Sequence, residues 1–452
     1  MMNNNNLDIL AFSDAESLKN IVADTLKMAL SKGATQAEAG LTVSQGLSVA
    51  TRMRSVETIE HQQDNGLGIS VYIGQHKGSA STSNLNPEAI QKTVEAACNI
   101  AKYTSQDPCT GLADAELMAH QFRDLDLYHT WDITPESVIE LALECENSAL
   151  DFDPKIVNSD GASVDINSGL SIYGNTHDFL QAQERTRYSI SCSVVGESDS
   201  NMQRDYWYDT SRNPDQLASA KSVGLKAAER TVQRLDARKL RTQQAPVLFL
   251  PDMARGLIGH FISAISGSAQ YRKASFLLDA IDTKVFPDFI QLTENPFEAQ
   301  ALGSANYDSE GIAVKQAALV TNGVIQSYLL DSYAARKLGS TATGHGSGVH
   351  NLSLDSTGKS FAECLATMHN GLLVTELMGQ GGNTVTGDYS RGAAGFWVEN
   401  GEIKYAVEEI TIAANLKDMF NGIVEVGNDV DKRGNIRTGS ILIDNMTIAG
   451  SE

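Results

Sequence analysis

Residues 252–273 read Asp-Met-Ala-Arg-Gly-Leu-Ile-Gly-His-Phe-Ile-Ser-Ala-Ile-Ser-Gly-Ser-Ala-Gln-Tyr-Arg-Lys, and this stretch decides how the second half of the chain folds. Its apolar residues recur at helical spacing, which predicts a helix with one buried side and Asp252 as its N-cap. The buried side consists of Ala254, Leu257, Ile258, Phe261, Ile262 and Ile265. The other side carries only glycine and serine at 256, 259, 263 and 266, close to His260. Such small residues predict either a tightly packed helix pair or the close approach of a ligand.

The charge of the chain argues against nucleic acid as a direct partner. It has 35 basic and 56 acidic residues, a formal net charge of −21. A surface this negative repels phosphates, and no basic run is interleaved with aromatic residues. We therefore expect no direct contact with DNA or RNA.

Cysteine usage and hydropathy favour a cytoplasmic protein. The five cysteines form no C-x-x-C pair, so we expect reduced thiols and no zinc or disulfide framework. No apolar stretch approaches the roughly 18–20 residues that span a bilayer, so no membrane association is expected. The first residues, Met-Met-Asn-Asn-Asn-Asn, lack the pattern of a signal peptide and are expected to be frayed.

The order of elements predicts an α+β chain with two domains. We expect an N-terminal mixed α/β domain over residues 1–240 and a β-rich C-terminal domain over residues 241–452, separated by a polar stretch near 236–244. Helices are predicted from a capping pair at Ser13 and Glu16 to about Ser31, from Asn86-Pro87 to about Tyr103, from Thr134-Pro135 onward, over about 213–234, and near 331–338, 359–369 and 414–420. Strands are predicted over 36–82, with turns at Asn65-Gly66 and Gly74, and over about 155–207, with later hairpins at Asn322-Gly323 and Asn400-Gly401.

Five stretches resemble the PmbA (TldE) branch of the TldD/PmbA peptidase family, and the resemblance runs nearly end to end. They are Gly267-Ser-Ala-Gln-Tyr-Arg-Lys-Ala-Ser-Phe276, Thr343-Gly-His-Gly-Ser-Gly-Val-His350, Val374-Thr-Glu-Leu-Met-Gly-Gln-Gly-Gly-Asn383, the segment 387–401, and Val407-Glu-Glu-Ile-Thr-Ile-Ala-Ala-Asn-Leu-Lys417. Together they are much more specific than a short motif.

The resemblance implies that this branch has lost a metal site. In the TldD branch the helix carries H-E-x-x-x-H, and a cysteine near the C-terminus completes a zinc site. Aligned on Arg272-Lys273, the first His position falls on Gly259, the Glu position on His260, the second His position on Ala264, and the cysteine position near Val430. Glycine and alanine side chains cannot bind a metal. We therefore expect no metal in this chain, and zinc in a TldD-like partner subunit.

No catalytic residue is assigned, and the candidate substrate-binding residues are His260, His345, His350, Gly381 and Arg391. His260 either lines a cleft or is a partly buried histidine with its hydrogen bonds satisfied. The two loop histidines either contact a peptide or are incidental, since no third metal ligand lies nearby in sequence. Gly381 permits a tight turn or the close approach of an extended chain. Arg391 either pairs with Asp388 to brace the loop or binds a substrate carboxylate.

The resemblance implies a cytoplasmic peptidase complex that acts on unfolded or modified peptides, including microcin-type leader removal and antitoxin degradation. Its expected partner is a TldD-like paralogous subunit, and a homodimer is expected as an alternative for the isolated chain. Peptides would bind by strand addition, which recognises the backbone. A non-enzymatic peptide-binding or scaffold protein that acts indirectly on DNA gyrase is the second hypothesis. A stand-alone enzyme lacks a credible nucleophile in this sequence.

Overall fold

The structure is a computed structural model of the chain, and it describes residues 15–199 and 201–450. It confirms the α+β class. Ser13 and the asparagine-rich start lie outside the described residues, and the first helix is described from Ala15 to Ser31. None of the described helices combines the length and the apolar character that crossing a membrane requires.

The described helices alternate with strands in the first half of the chain and are mostly short in the second half. They are α1 (Ala15–Ser31), α2 (Pro87–Tyr103), α3 (Pro135–Leu150), α4 (Ala220–Gln233), α5 (Pro251–Ala264), α6 (Gly267–Tyr271), α7 (Ser332–Leu338), α8 (Phe361–Met368) and α9 (Leu416–Asn421). The strands are β1 (Gln36–Arg52), β2 (Ser55–Ile73), β3 (His76–Thr82), β4 (Ile156–Asn175), β5 (Phe179–Glu197), β6 (Met202–Ser211), β7 (Gln243–Phe249), β8 (Leu292–Glu294), β9 (Ala317–Thr321), β10 (Val324–Ile325), β11 (Leu352–Leu354), β12 (Gly371–Met378), β13 (Asp388–Glu399), β14 (Glu402–Asn415), β15 (Ile423–Val426), β16 (Ile436–Arg437) and β17 (Ile441–Ala449).

The first six strands form one antiparallel sheet in the order β3-β2-β1-β4-β5-β6. Apolar side chains at alternate positions turn to one face, where α1 and α2 cover one half and α3 and α4 cover the other. The opposite face carries serine, glutamine and arginine side chains. This polar face matters below because the second half of the chain packs across part of it.

The turn between β1 and β2 shows why one turn prediction was wrong. Asn65-Gly66 lies inside β2, which runs without a break, and the chain reverses instead at Met53 and Arg54. Both turn residues have positive φ, 48° and 66°, which favours Asn or Gly. The fully buried Glu146 of α3 compensates, since its carboxylate accepts both turn N–H groups at 2.8 Å. A local sequence rule cannot anticipate a carboxylate that arrives from 90 residues away.

The second half contains two sheets. β14, β13, β12, β7 and β17 pair in that order, and β14 also pairs with β17, so these strands close into a barrel that β15 extends. β10, β9, β8, β11 and β16 form a separate five-stranded sheet. The hairpin turns at Asn322-Gly323 and Asn400-Gly401 are confirmed, with positive φ at all four residues. Phe261 of α5 packs against Phe286 and Phe420 in the core between these sheets.

Two helix starts differ from the prediction. α4 begins at Ala220 rather than near 213, because Pro214 opens a separate short 3₁₀ turn and Ser219 then caps the helix. α5 begins at Pro251 with Leu250 at the N-cap, so Asp252 lies in the first turn and does not cap. Its carboxylate instead takes part in the contact between the two halves of the chain that is described below.

Candidate functional site

The helix α5 presents its buried side much as the sequence predicts, but its small-residue side does not pack. Ala254, Leu257, Ile258 and Phe261 are buried, whereas Ile262 is only partly buried. A Cβ atom added at position 256 or 259 would meet no atom within 4 Å outside the helix's own backbone. The prediction of a tight helix pair on this side is therefore wrong for the described chain, and the surface beside His260 is open.

His260 lies in a pocket made by the returning loop between β12 and β13. Its imidazole rests against the backbone of Gly382, where an added Cβ would come within 2.4 Å of His260 Cε1. The ring of Tyr389 meets the imidazole edge to face, with 5.7 Å between centroids. The loop is held there by backbone hydrogen bonds, including Ser390 N–H to the carbonyl of Gly381 at 2.8 Å. Only glycine leaves room for the imidazole at position 382.

Arg391 joins this cluster from the same face of β13 as Tyr389, two residues along the strand. A Cβ at Gly381 would approach the Arg391 Cγ to 2.6 Å, so the loop glycine packs directly on the arginine stem. The Arg391 Nε is buried without a hydrogen-bond partner in the described structure. The predicted brace with Asp388 is wrong, because that carboxylate accepts from Thr386 at 2.6 Å and lies on the other face of the strand.

The electrostatics of the cluster keep its groups in their neutral or cationic forms. Burial, together with the positive charge of Arg391, lowers the pKa of His260, so its imidazole is neutral at pH 7. Burial raises the pKa of Tyr389 to about 12 against the opposing effect of Arg391. The cluster therefore offers an imidazole, a phenol and an unsatisfied guanidinium N–H for polar contacts, and it contains no carboxylate or thiol.

The other two predicted histidines lie elsewhere and already have partners. His345 Nε2 contacts a carboxylate oxygen of Glu294 at 2.7 Å, and its Nδ1 contacts the Thr343 hydroxyl at 2.8 Å. His350 is 5% exposed, its backbone N–H donates to Glu294, and its Nε2 lies 3.3 Å from the Gly344 carbonyl. Both ring nitrogens of His345 are thus occupied within the chain, which leaves none to offer a peptide. The structure brings together His260, Gly381 and Arg391, but not the two loop histidines.

Sequence reasoning missed a cluster of charges at the contact between the two halves of the chain. Arg433 donates from Nη2 to Asp252 at 2.7 Å and from Nε to Asp431 at 2.9 Å. It also donates to the backbone carbonyl of Tyr208, and its guanidinium stacks on Trp207 at 4.1 Å. A cavity of about 790 Å³ between the two halves of the chain is lined by Trp207, Asp252, Asp431 and Arg433. No local signal marks the cluster, since its members come from three separate segments.

The two carboxylates of this cluster titrate in opposite directions. Burial, with the neighbouring Asp431, raises the pKa of Asp252 against the attraction of Arg433. Burial also disfavours the charge on Asp431, but hydrogen bonds from Arg433 outweigh it and hold the pKa of Asp431 at about 2. Asp431 is therefore the carboxylate that stays ionised, and Asp252 is the one that accepts a proton more readily.

A zinc ion of the kind expected for the TldD branch does not fit the residues at the corresponding positions. Within residues 15–199 and 201–450, no group of three or more His, Cys, Asp or Glu side chains is arranged to hold a metal. Gly259 has no side chain, and Ala264 is fully buried in the apolar core. Its carbonyl accepts from Gln270 and Ser275, which fixes the backbone there. A histidine at 264 would have to displace core side chains before it could reach a metal.

The comparisons with known proteins agree with the fold over the whole chain. Residues 37–101, 128–235 and 242–450 match the first, central and C-terminal domains of the family described as PmbA/TldA metallopeptidase. The chain is 48% identical to the metalloprotease PmbA homolog of Haemophilus influenzae over 99% of both chains. It is 45% identical to the metalloprotease PmbA of Escherichia coli O157:H7, covering 98% of this chain and 99% of that one.

Solved structures show the same architecture. A Bacteroides thetaiotaomicron protein described as a candidate modulator of DNA gyrase superposes with a TM-score of 0.92 at 28% identity, over 97% of this chain and 100% of that one. TldE of Thermococcus kodakarensis superposes with a TM-score of 0.84 at 19% identity, over 96% and 100% of the two chains. The second likeness establishes the fold alone.

Proposed function

The chain belongs to the PmbA/TldD metallopeptidase family, and from this premise we propose that it is the metal-free subunit of a cytoplasmic, two-subunit peptidase. A TldD-like paralogue supplies the zinc and the general base, and this chain forms part of the cleft that holds unfolded or modified peptides. Microcin-type precursors and small antitoxins belong to that substrate class.

One observation carries the proposal. The position aligned with the second zinc histidine is Ala264, which is fully buried in the core and has its carbonyl bound by two neighbours. A water-activating zinc needs three protein ligands that converge on an open position. Neither Gly259 nor Ala264 can supply one, so hydrolysis requires ligands from another chain.

The open side of α5 supports a role in forming the cleft. Gly256 and Gly259 leave the helix backbone uncovered, and His260 with Arg391 stands beside it. A peptide or a partner subunit can therefore approach the helix more closely than it could approach a helix with large side chains. The motif position at Gly259 therefore carries no metal ligand and is not covered by other side chains, whereas Ala264 is buried.

A free strand edge supports peptide binding by strand addition. Residues 67–73 of β2 pair with β3, but Ser55–Gly66 pair on one side only, with β1. All but one of these twelve residues are exposed, and the backbone groups along their outer edge have no partner in the described chain. An extended peptide can add to such an edge through backbone hydrogen bonds, which tolerates varied sequences.

The test is cleavage of an unstructured peptide by this chain alone, by a TldD-type paralogue alone and by the mixture, each with and without a chelator. We expect chelator-sensitive cleavage only in the mixture. Cleavage by this chain alone would overturn the proposal. Binding without cleavage in all three arms would instead favour a scaffold that acts indirectly on DNA gyrase, the second hypothesis from the sequence.

A matched pair of variants makes the test specific to this chain. His260→Ala changes the cluster beside the open helix face, whereas Arg241→Gln changes an exposed arginine in the segment that leads into β7. If this chain only stabilises its partner, both variants should leave the mixture equally active. If it lines the cleft, only His260→Ala should lower the cleavage rate.

A further inference from the structure

A second cavity, of about 680 Å³, lies between the polar face of the N-terminal sheet and the loops of the C-terminal half. Arg185 and Arg187 of β5 line one side, and Ser304, Tyr307 and Asn435 are among the residues on the other. Its volume falls in the range of roughly 300–1,000 Å³ that is usual for ligand pockets. We name it the arginine cavity.

Arg185 and Arg187 have no carboxylate partner in the described chain, whereas Arg433, which also lines the cavity, is paired with Asp252 and Asp431. Arg185 donates to the amide oxygen of Gln183, and its Nε is buried without any partner. Arg187 donates from Nε to the Thr210 hydroxyl at 3.1 Å. None of the ion pairs of the described chain includes either arginine. Arg187 is exposed, but Arg185 is partly buried, and a partly desolvated cation without an anionic partner is costly, so the position of Arg185 needs an explanation.

A third arginine adds positive charge behind the first two. Arg212 is 6% exposed, and it donates to the backbone carbonyls of Ala301 at 3.1 Å and Leu302 at 2.8 Å. Burial, followed by the charges of Arg185 and Arg187, lowers the pKa of Arg212 to about 10. Three guanidinium groups therefore lie close enough to repel one another, in a chain whose net charge is −21.

The acidic side chains nearest to the arginine cavity are already committed. Asp308 lines the cavity, but its carboxylate accepts the backbone N–H groups of Gly346, Glu310 and Ile312 at 2.8 to 3.0 Å. Asp165 lies on the same sheet face and accepts from the hydroxyls of Ser48, Ser163 and Ser189. Neither carboxylate forms an ion pair with Arg185 or Arg187, so both guanidinium groups lack an anionic partner.

We infer that the arginine cavity binds a carboxylate of the peptide substrate through Arg185 and Arg187. The planar fork of an arginine matches a carboxylate in two parallel hydrogen bonds, and the cavity wall adds the hydroxyls of Ser171 and Ser309. The inference rests on the proposed function, since it names the chemical group by which this subunit holds a peptide. The carboxylate comes either from the peptide C-terminus or from an Asp or Glu side chain.

The test measures binding of fluorescent, unstructured peptides to the full chain without its partner subunit. One peptide has a free C-terminus and no acidic side chain, a second has an amidated C-terminus and one internal Asp, and a third is amidated and has no carboxylate. We expect the third to bind about tenfold more weakly, or worse, than one or both of the others. The preference between the first two identifies the source of the carboxylate.

Variants assign the effect to the cavity. Arg185→Met should abolish the difference between the peptides, and Arg185→Lys should restore part of it because the charge remains without the fork. Arg241→Gln, which removes an exposed arginine outside the cavity, should preserve the difference. Thermal unfolding of each variant shows whether it is folded. Equal binding of all three peptides to the wild-type chain, or an undiminished difference in a folded Arg185→Met, would overturn the inference.

Failure here is distinguishable from failure of the proposed function. If the mixture of subunits cleaves peptides but this chain binds peptides with and without a carboxylate equally well, only the cavity inference fails. If this chain binds carboxylates through Arg185 but no mixture cleaves them, the cavity inference stands, and the peptidase proposal fails.

Discussion

Arg433 and Arg185 both lie between the two halves of the chain, yet their surroundings are opposite. Each nitrogen of the Arg433 guanidinium has an acceptor, from Asp252, Asp431 or the Tyr208 carbonyl, and two aromatic rings stack on it. Arg185 has a single neutral acceptor and a buried Nε with none. The fold therefore satisfies Arg433 completely at the contact between the two halves of the chain. Arg185 is left with one neutral acceptor, and the carboxylate proposed above would supply the anionic partner that it lacks.

The largest expected effect comes from Arg433→Gln. The change leaves Asp252 and Asp431 close together without their shared cation and removes the stacking on Trp207. Breaking one side of a buried ion pair typically costs about 3–5 kcal/mol. Denaturant unfolding followed by tryptophan fluorescence measures it, with Arg241→Gln as a control expected to stay within about 0.5 kcal/mol of wild type. If Arg433→Gln lowered the free energy of unfolding by less than about 1 kcal/mol, Arg433 would not be what holds the two halves of the chain together.

The second prediction separates the two carboxylates around Arg433. Since the pKa of Asp431 is lowered from 3.8 to about 2, its charge stabilises the folded chain above the pKa of about 3.9 that it has when unfolded, and this contribution is lost as pH falls through about 2. The pKa of Asp252 is raised, so ionising this carboxyl costs more in the folded chain than in the unfolded chain. Its effect on the free energy of unfolding is therefore most favourable at low pH, where it is protonated. Asp431→Asn should therefore cost about 2 kcal/mol at pH 7, and Asp252→Asn distinctly less.

The measurement is the unfolding free energy of both variants at pH 7 and between pH 3 and 4. The difference between the unfolding free energies of the two variants should become smaller as the pH is lowered. The reason is that the stabilisation from the charge of wild-type Asp431 is lost as this carboxylate becomes protonated. Equal costs at pH 7 would mean that the two carboxylates share Arg433 evenly.

The third prediction concerns the stability of the unsatisfied arginine. Arg185→Met replaces a partly desolvated cation without an acidic partner by an apolar side chain of similar length, so without ligand it should raise the unfolding free energy, by up to about 1 kcal/mol. The decisive result is that Arg185→Met raises the unfolding free energy, whereas Arg433→Gln lowers it. Differential scanning calorimetry of the ligand-free chain measures it, and a destabilisation comparable to that of Arg433→Gln would remove the contrast between the two arginines.

These contrasts also mark what the sequence could predict. The amphipathic side of α5, the capping of α3 by Thr134, and the hairpin turns at 322–323 and 400–401 are local patterns, and the structure confirms them, whereas the Asn-Gly pair at 65–66 lies inside a strand. Arg433 and Glu146 could not be predicted, because their partners are distant in sequence and meet only in the folded chain. For the same reason the sequence could not show that His345 is unable to contact a peptide, because its partner Glu294 is 51 residues away along the chain. The domain boundary near 240 stays a prediction.

Arg391 has one weak acceptor, the Leu377 carbonyl at 3.5 Å, and one buried nitrogen without a partner. A change at His260, which lies beside it, should have the smallest effect on stability. The pKa of His260 is lowered by burial and by Arg391, so the unfolded chain takes up a proton more readily, and the contribution of His260 to stability falls as pH drops below about 6.5. His260→Gln should thus change stability at pH 7 by less than about 1 kcal/mol and should make the chain relatively more stable at pH 5. Unfolding at the two pH values tests this, and a variant that loses further stability at pH 5 would contradict it.

Gly382→Ala sharpens this last prediction, because its methyl group would collide with the imidazole that rests on Gly382. If the imidazole lines the cleft, Gly382→Ala and His260→Ala should lower cleavage by the subunit mixture to a similar degree while each chain stays folded. If His260 only fills space, Gly382→Ala should reduce stability and His260→Ala should leave cleavage unchanged. The pair of variants therefore decides whether the imidazole of His260 takes part in cleavage or only supports the fold.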